Sequence, residues 1–173
     1  MQTHLSPVIA ATAQWLTRSF PAPGGALAAA LCEAQARQAV TVAAWLRYPT
    51  EMDAALLGLA GPGGSARLDW VTGADAGDGI PAHAWRTWVD EVVASWAACL
   101  LTDPELAGRA VAALRRDGDH TGTPAEFRRL LAPDGTDRRA AALLRHPDLV
   151  APVARLHHSG LLDRLDPDHT LIT

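Results

Sequence analysis

Residues 26–47 read ALAAALCEAQARQAVTVAAWLR, a run that contains neither proline nor glycine. Alanine and leucine, which are among the best helix formers, supply more than half of it. The larger apolar residues recur three and four positions apart, and this spacing predicts a helix with one buried stripe. The predicted stripe consists of Leu27, Leu31, Ala34, Gln38, Val42, Trp45 and Leu46.

The composition of the whole chain agrees with this segment. Hydrophobic residues make up 49% of it, enough for an ordered core, and alanine and leucine dominate among them. Strands favour β-branched and aromatic residues, which are sparse here apart from six tryptophans. We therefore predict an all-α protein, a compact bundle of six to eight helices. One short extended segment is expected near 66–72, where polar and apolar residues alternate.

Glycine-rich segments divide the chain into two helical halves. Gly61-Pro62-Gly63-Gly64 and the stretch 73–79 are typical of a linker, which we place at 61–80. The halves are then 1–60 and 81–160, followed by a loosely ordered tail, 161–173. A chain of 173 residues fits a single domain.

Each half contains a helix with a clear apolar pattern. In the first, Pro49-Thr50 begins a helix over 51–60, and Met52, Leu56 and Leu59 are predicted to face inward. In the second, Pro81 begins an amphipathic helix whose apolar residues recur three and four positions apart. These are Trp85, Trp88, Val92, Trp96 and Cys99.

Charge and composition argue against several classes of partner. The net charge is −4, whereas nucleic acids and anionic membranes attract a positive surface. No stretch of about 20 residues is apolar enough to span a bilayer, so we predict no membrane partner. All fifteen basic residues are arginine, a bias typical of GC-rich bacterial genomes. Two cysteines in helical segments and the lack of a secretory leader predict free thiols in a cytoplasmic protein.

No stretch of sequence carries an enzyme or metal motif. The segment 117–122 begins like a calcium loop, but the bidentate glutamate required at the twelfth position is replaced by Arg128. His157 and His158 are adjacent, so on a helix they point about 100° apart and cannot easily face one metal. Nucleophile and phosphate-loop motifs are also lacking. We therefore predict no catalytic residue, no metal and no cofactor.

What remains is a surplus of tryptophan and arginine, the residues that dominate protein interfaces. The favoured hypothesis is a non-enzymatic interaction domain, such as an adaptor, chaperone-like or regulatory subunit, that binds a protein partner or itself. It would use an apolar, tryptophan-lined face and an arginine-bearing face. The residues assigned to these faces are Trp70, Trp88, Arg115, Arg116, Arg128, Arg129, Arg138 and Arg139.

Two other interpretations of these residues stay open at this point. Tryptophans at helical spacing are commonly core residues, and the arginine pairs have acidic neighbours with which they can form ion pairs. The alternative function is a ligand- or metal-binding protein or an enzyme, with a pocket between the two helical halves. Its polar groups would come from His83, Asp90, His157 or His158.

Overall fold

The computed structural model describes residues 4–73, 84–117 and 125–167. These residues contain ten α-helices and no strand, which confirms the all-α prediction; eight of the helices have seven or more residues. The helices are α1 (Ser6–Ser19), α2 (Ala26–Arg47), α3 (Glu51–Ala60), α4 (Ala66–Thr72), α5 (Glu91–Thr102), α6 (Pro104–Arg116), α7 (Arg128–Leu131), α8 (Gly135–Ala140), α9 (Pro147–Ala154) and α10 (His158–Leu165), with a 3₁₀ helix at Ala84–Trp88 before α5.

Helices α2 and α5 pack against each other at the centre of the bundle. Helices α1, α6, α7 and α8 pack around α2, while α9 packs against α5. Nine consecutive residues of α5, 93–101, are buried. A helix that is apolar on every side is typical of a core position, so α5 is the innermost helix.

The stripe predicted for α2 is wrong in its first half and confirmed in its second. Leu27 is 71% exposed, whereas Val42, Trp45 and Leu46 are buried. In the first half the inward face consists mostly of small residues, which let neighbouring helices approach closely. The buried residues there are Cys32, Gln35 and Ala36.

The extended segment expected near 66–72 is instead helix α4. Its buried residues, Leu68 and Asp69, are adjacent rather than alternating. The indole N–H of Trp15 on α1 donates to the Asp69 carboxylate at 2.9 Å, which attaches α4 to α1. The contact joins positions 54 residues apart. It is an example of tertiary context, which commonly overrides a weak local preference for a strand. The linker predicted at 61–80 therefore contains a helix, and residues 74–80 lie outside the described residues.

The helix predicted from Pro81 through Cys99 is interrupted before α5. Residues Ala84–Trp88 form the 3₁₀ helix, and α5 begins at Glu91. The carboxylate of Asp90 accepts a hydrogen bond from the Val93 N–H at 2.9 Å, so it caps α5. Pro81 itself lies outside the described residues.

The tail expected to be loosely ordered from residue 161 begins as part of a helix. Helix α10 extends to Leu165, and both Leu161 and Leu165 are buried. The guanidinium of Arg164 donates to the carbonyl of Leu46 at 3.1 Å, which holds α10 against the end of α2. None of the helices in the described ranges has the length and apolar character needed to cross a membrane.

Candidate interaction surface

Helix α3 is defined by its own end groups. The Thr50 hydroxyl accepts from the Asp53 N–H, and the Asp53 carboxylate accepts from the Thr50 N–H, both at 3.1 Å. This reciprocal pair is a capping box, which satisfies amides that the first turn would otherwise leave free. Gly61, with φ 76°, ends the helix in a conformation that favours glycine. The predicted bounds, 51–60, are therefore confirmed.

The predicted orientation of α3 is wrong. Met52, Leu56 and Leu59 are 68%, 55% and 87% exposed, whereas the buried residues are Ala54 and Leu57. Ala54 and Leu57 are three positions apart and lie on one face of the helix. Met52 and the residues three, four and seven positions after it lie on the opposite face. We call this exposed apolar face, formed by Met52, Ala55, Leu56 and Leu59, the outer face of α3.

Other large apolar side chains are exposed on different elements, and two of them, Leu143 and Leu149, line one pocket together. They are Leu27 on α2, Trp70 on α4, Leu143 in the turn after α8 and Leu149 on α9. Scattered exposed apolar residues are normal on a protein surface, whereas several on one short helix form a patch. Within the described part of the chain, α3 is the helix that carries such a group.

The tryptophans divide between core and surface. Trp15, Trp45 and Trp96 are buried, which fits the interpretation of tryptophans as core residues. Trp88, assigned to the interaction face from the sequence, is half-buried against the core in the 3₁₀ helix. Trp70 is 71% exposed. A tryptophan-lined face formed by Trp70 and Trp88 stays a prediction.

Two arginines assigned to partner binding already have a partner within the chain. Asp137 is fully buried, and both Arg128 and Arg129 pair with its carboxylate. A buried carboxylate requires such compensation. Arg138 and Arg139 follow Asp137 on α8 and are exposed. The pair Arg138–Arg139 therefore adjoins the pair Arg128–Arg129, which binds Asp137.

The remaining pair, Arg115 and Arg116, lies on a different helix. Arg115 and Arg116 are exposed in the last turn of α6, where cations interact favourably with the helix dipole. The arginine-bearing face is thus divided between the end of α6 and the segment around α8. Its role in partner binding stays a prediction.

Arg145 forms a polar junction that the sequence did not reveal. It lies at the end of the turn 141–145, which follows the end of α8 at Ala140. Its guanidinium donates to the Gln35 side chain at 2.5 Å and to the carbonyls of Leu101 and Arg129 at 2.8 and 2.6 Å. Burial lowers the Arg145 pKa to about 10, and nearby Asp137 opposes this effect. The junction joins α2, α5 and α7.

A second cluster of aromatic and charged groups surrounds Trp85. The guanidinium carbons of Arg18 and Arg86 lie 5.3 and 5.8 Å from its ring centroid, within the range of cation–π contacts. Arg86 also donates to Asp69 at 2.7 Å, which thus accepts from both Arg86 and Trp15. These contacts position the 3₁₀ helix against α1 and α4, so the cluster has a structural role.

Asp90 links three helices as well as capping α5. Its backbone N–H donates to the Thr12 hydroxyl at 3.3 Å, and its carboxylate accepts from the Tyr48 hydroxyl. Burial raises the pKa of Tyr48, and the hydrogen bond to Asp90 raises it further. Asp90, one of the polar groups proposed for a pocket between the halves, is therefore a buried structural residue.

A titration of tyrosine absorbance measures this contact directly, because the chain has a single tyrosine. We expect the native midpoint to lie well above 10, the ordinary tyrosine pKa, and to return to about 10 in denaturant. The folded state holds the Tyr48 proton more tightly than the unfolded state does. The contribution of protonated Tyr48 to the free energy of unfolding is therefore complete below pH 10 and is lost as the pH rises through the folded pKa. A native midpoint near 10 would contradict the buried hydrogen bond; the control is Asp90→Asn, which should lower the native midpoint.

His157 is bound to α5 through three of its atoms. Its ring Nε2 lies 2.7 Å from a carboxylate oxygen of Glu91, and its backbone N–H donates to the Ser95 hydroxyl at 3.0 Å. Its carbonyl accepts from the Trp96 indole, also at 3.0 Å. These contacts attach the α9–α10 connection to the core, and they occupy groups that the pocket hypothesis had assigned to a ligand. His83 lies outside the described residues.

A cleft of about 270 Å³ lies between the α5–α6 connection and the helices α9 and α10. Asp103, Arg155 and His158 contribute polar groups to its lining, and Cys99 contributes a thiol. Burial raises the pKa of Cys99 to about 11, so the thiolate that a nucleophile or metal ligand requires is disfavoured. This cleft lies within the second half of the chain.

Another cleft, of about 280 Å³, lies between the two halves, where Leu27 and Leu31 of α2 face Arg139 of α8. A ligand-binding role for a pocket between the halves stays a prediction.

The described ranges contain no group of three or more His, Cys, Asp or Glu side chains arranged to hold a metal ion. Most of the calcium-loop-like segment, 118–122, lies outside them.

The structure therefore presents one preformed apolar helix face and a set of polar groups that mostly bind one another. No protein-family model, curated protein or solved structure matches this chain.

Proposed function

We propose that this protein is a protein–protein interaction domain and that the outer face of α3 is its docking surface. The observation that carries the proposal is the exposure of Met52, Leu56 and Leu59 on a helix whose opposite face is buried. Apolar surface grouped in this way is stabilised when a partner removes it from water. An adaptor or regulatory subunit would use this face to hold its target.

The end caps of α3 support this role. The capping box at Thr50 and Asp53 and the glycine at Gly61 define both ends of the helix without a partner. A docking surface that is already folded loses less conformational entropy when it binds, which favours affinity. The two charged residues of α3, Glu51 and Asp53, lie in its first turn, and residues 54–60 are uncharged. The centre of the surface is therefore apolar and its edge is polar, as in known interfaces.

The arginine-bearing segments have a secondary part in this proposal. Arg115, Arg116, Arg138 and Arg139 are exposed, so they are accessible to acidic groups of a partner. Exposed ion pairs contribute little affinity but increase the rate of encounter. We therefore assign the binding energy to α3 and only orientation to the arginines.

Site-specific photo-cross-linking in cells that produce the protein tests the proposal. A benzophenone amino acid replaces Leu56 on α3 or, as a matched control, Leu149 on α9, which is similarly exposed at 47%. We expect a protein adduct at position 56 that exceeds the adduct at position 149 several-fold, because α3 carries three exposed large apolar side chains, whereas Leu149 has one other exposed leucine, Leu143, in its pocket. Adding Leu59→Arg should abolish the adduct at position 56.

Equal labelling at positions 56 and 149 would overturn the proposal. So would labelling at position 56 that is insensitive to Leu59→Arg, because such an adduct would reflect random collision. The mass of the adduct identifies the bound protein without further assumption.

A further inference from the structure

The cleft between the α5–α6 connection and the helices α9 and α10 has hydrogen-bond acceptors on one side and donors on the other. Asp103 lies at the α5–α6 connection, whereas Arg155 and His158 lie at the α9–α10 connection. We propose that this cleft binds a free aliphatic α-amino acid, with the ligand carboxylate at Arg155 and the ligand ammonium at Asp103. The inference goes beyond the proposed function, since none of the lining residues belongs to α3.

The donor side of the cleft suits a carboxylate. Arg155 is the residue that ends α9, and His158 is the first residue of α10. Both side chains are exposed, and within the described ranges neither forms an ion pair or a side-chain hydrogen bond. A guanidinium presents several N–H groups in one plane, an arrangement that matches the two oxygens of a carboxylate. The imidazole of His158 supplies a further donor beside it.

The acceptor side suits an ammonium group. The Oδ1 atom of Asp103 accepts from the Leu106 N–H at 3.0 Å and so caps α6, which leaves the other carboxylate oxygen for a ligand. The Thr102 hydroxyl donates to the carbonyls of Ala98 and Cys99 at 3.0 and 3.1 Å. Because its hydrogen is used in this way, the hydroxyl oxygen is left to accept. An ammonium group has three N–H donors and no acceptor, so it complements both oxygens.

Asp103 and Arg155 line the same cleft but do not pair with each other. None of the ion pairs among the described residues includes either side chain. A ligand that carried only a carboxylate would leave the negative charge of Asp103 facing it, and a ligand that carried only an ammonium would face Arg155. A zwitterion satisfies both residues at once, because charge-assisted hydrogen bonds form at each of its ends.

The rest of the lining is apolar and aliphatic. Pro147, Ala151 and Ala154 are four and three positions apart and therefore share one face of α9, and Leu106 of α6 lines the cleft with them. The volume of about 270 Å³ is close to the lower limit of ligand sites, roughly 300 Å³, so the cleft suits a small molecule. The side chain of leucine, isoleucine or valine would bury its apolar surface against these groups.

An NMR titration of the backbone amides of the full-length chain, with L-leucine as the probe, tests the proposal. We expect a Kd of about 0.1–1 mM, as befits a ligand of few atoms. Two analogues each lack one charge: leucinamide has no carboxylate, and isocaproate has no ammonium. Each should bind about tenfold more weakly than L-leucine, because one end of the cleft then has no partner. Glycine, which lacks the apolar side chain, should also bind about tenfold more weakly.

Two substitutions assign the charges of the ligand to residues. Arg155→Gln should weaken L-leucine binding about tenfold without weakening leucinamide binding, because leucinamide has no carboxylate for Arg155. Asp103→Asn should weaken L-leucine binding about tenfold without weakening isocaproate binding; asparagine caps a helix about as well as aspartate, so α6 is preserved. Arg109→Gln, at an exposed position of α6 outside the lining, is the matched control and should bind L-leucine as the wild type does.

Three results would overturn the amino-acid site. The first is the absence of shift changes with L-leucine at about 20 mM. The second is shift changes that lie outside residues 99–106 and 147–158. The third is L-leucine binding that neither Arg155→Gln nor Asp103→Asn weakens. Because the proposed function is tested by cross-linking at position 56 on α3, either hypothesis can fail while the other stands.

Discussion

Replacing Arg145 with methionine is expected to lower the free energy of unfolding by about 2–4 kcal/mol. The guanidinium is a shared donor for Gln35 and for the carbonyls of Leu101 and Arg129, which belong to three different parts of the bundle. Methionine fills similar space but donates no hydrogen bond, so three acceptors lose a charged donor. The quantity to measure is the urea dependence of circular dichroism at 222 nm.

Two further variants show whether the geometry of Arg145 causes this loss. Arg145→Lys keeps a positive charge but lacks the planar fork that reaches three acceptors, so most of the loss should remain. Arg109→Met removes an exposed arginine from α6 and should change the free energy of unfolding by less than about 0.5 kcal/mol. A loss below about 1 kcal/mol for Arg145→Met would mean that the junction adds little to stability.

Replacing Trp15 with alanine should have the largest effect in the chain, a loss of about 3–5 kcal/mol. The side chain is 1% exposed, and its removal leaves a large cavity between α1 and its neighbours. The indole N–H also donates to Asp69, so the variant weakens the attachment of α4. Far-ultraviolet circular dichroism is again the suitable signal, because the substitution changes tryptophan fluorescence.

Trp70→Ala is the matched control for Trp15→Ala. Trp70 is 71% exposed, so its truncation should change the free energy of unfolding by less than about 0.5 kcal/mol. Trp15→Phe retains most of the apolar volume and loses the N–H donor, and an intermediate loss of about 1–2 kcal/mol is expected. Equal losses for Trp15→Ala and Trp70→Ala would contradict the burial that the structure assigns to these two residues.

Local sequence predicts where helices form, but it does not predict which side chains are buried. Ala- and Leu-rich segments and their flanking caps predict helices because these preferences act between neighbouring residues. Helix α3 is the clearest case, since the capping residue Thr50 and the stop at Gly61 directly flank the predicted segment 51–60. No such local signal separates Trp15 from Trp70, because burial depends on what packs against each side chain.

The orientation of α3 illustrates the same limit for a whole helix. Its sequence contains two apolar faces, one with Ala54 and Leu57 and a wider one with Met52, Leu56 and Leu59. The wider face is the natural prediction for the buried side, yet the structure buries the narrower one. Periodicity reveals both faces but does not state which of them meets the bundle.

The polar junctions were beyond the reach of sequence reasoning for a related reason. Arg145 and Gln35 are 110 residues apart, and Tyr48 and Asp90 are 42 apart. Each of these residues alone resembles an ordinary surface or capping residue. Only the packing of distant helices turns them into hydrogen-bond partners.

The amino-acid sequence alone was sufficient to establish that this chain is helical and where several helices start and stop, because backbone hydrogen bonds and caps join residues three or four positions apart. Which helix faces are hidden and which apolar surface stays exposed depended on the folded arrangement. Those properties arise from contacts between residues tens of positions apart, and no local pattern encodes them.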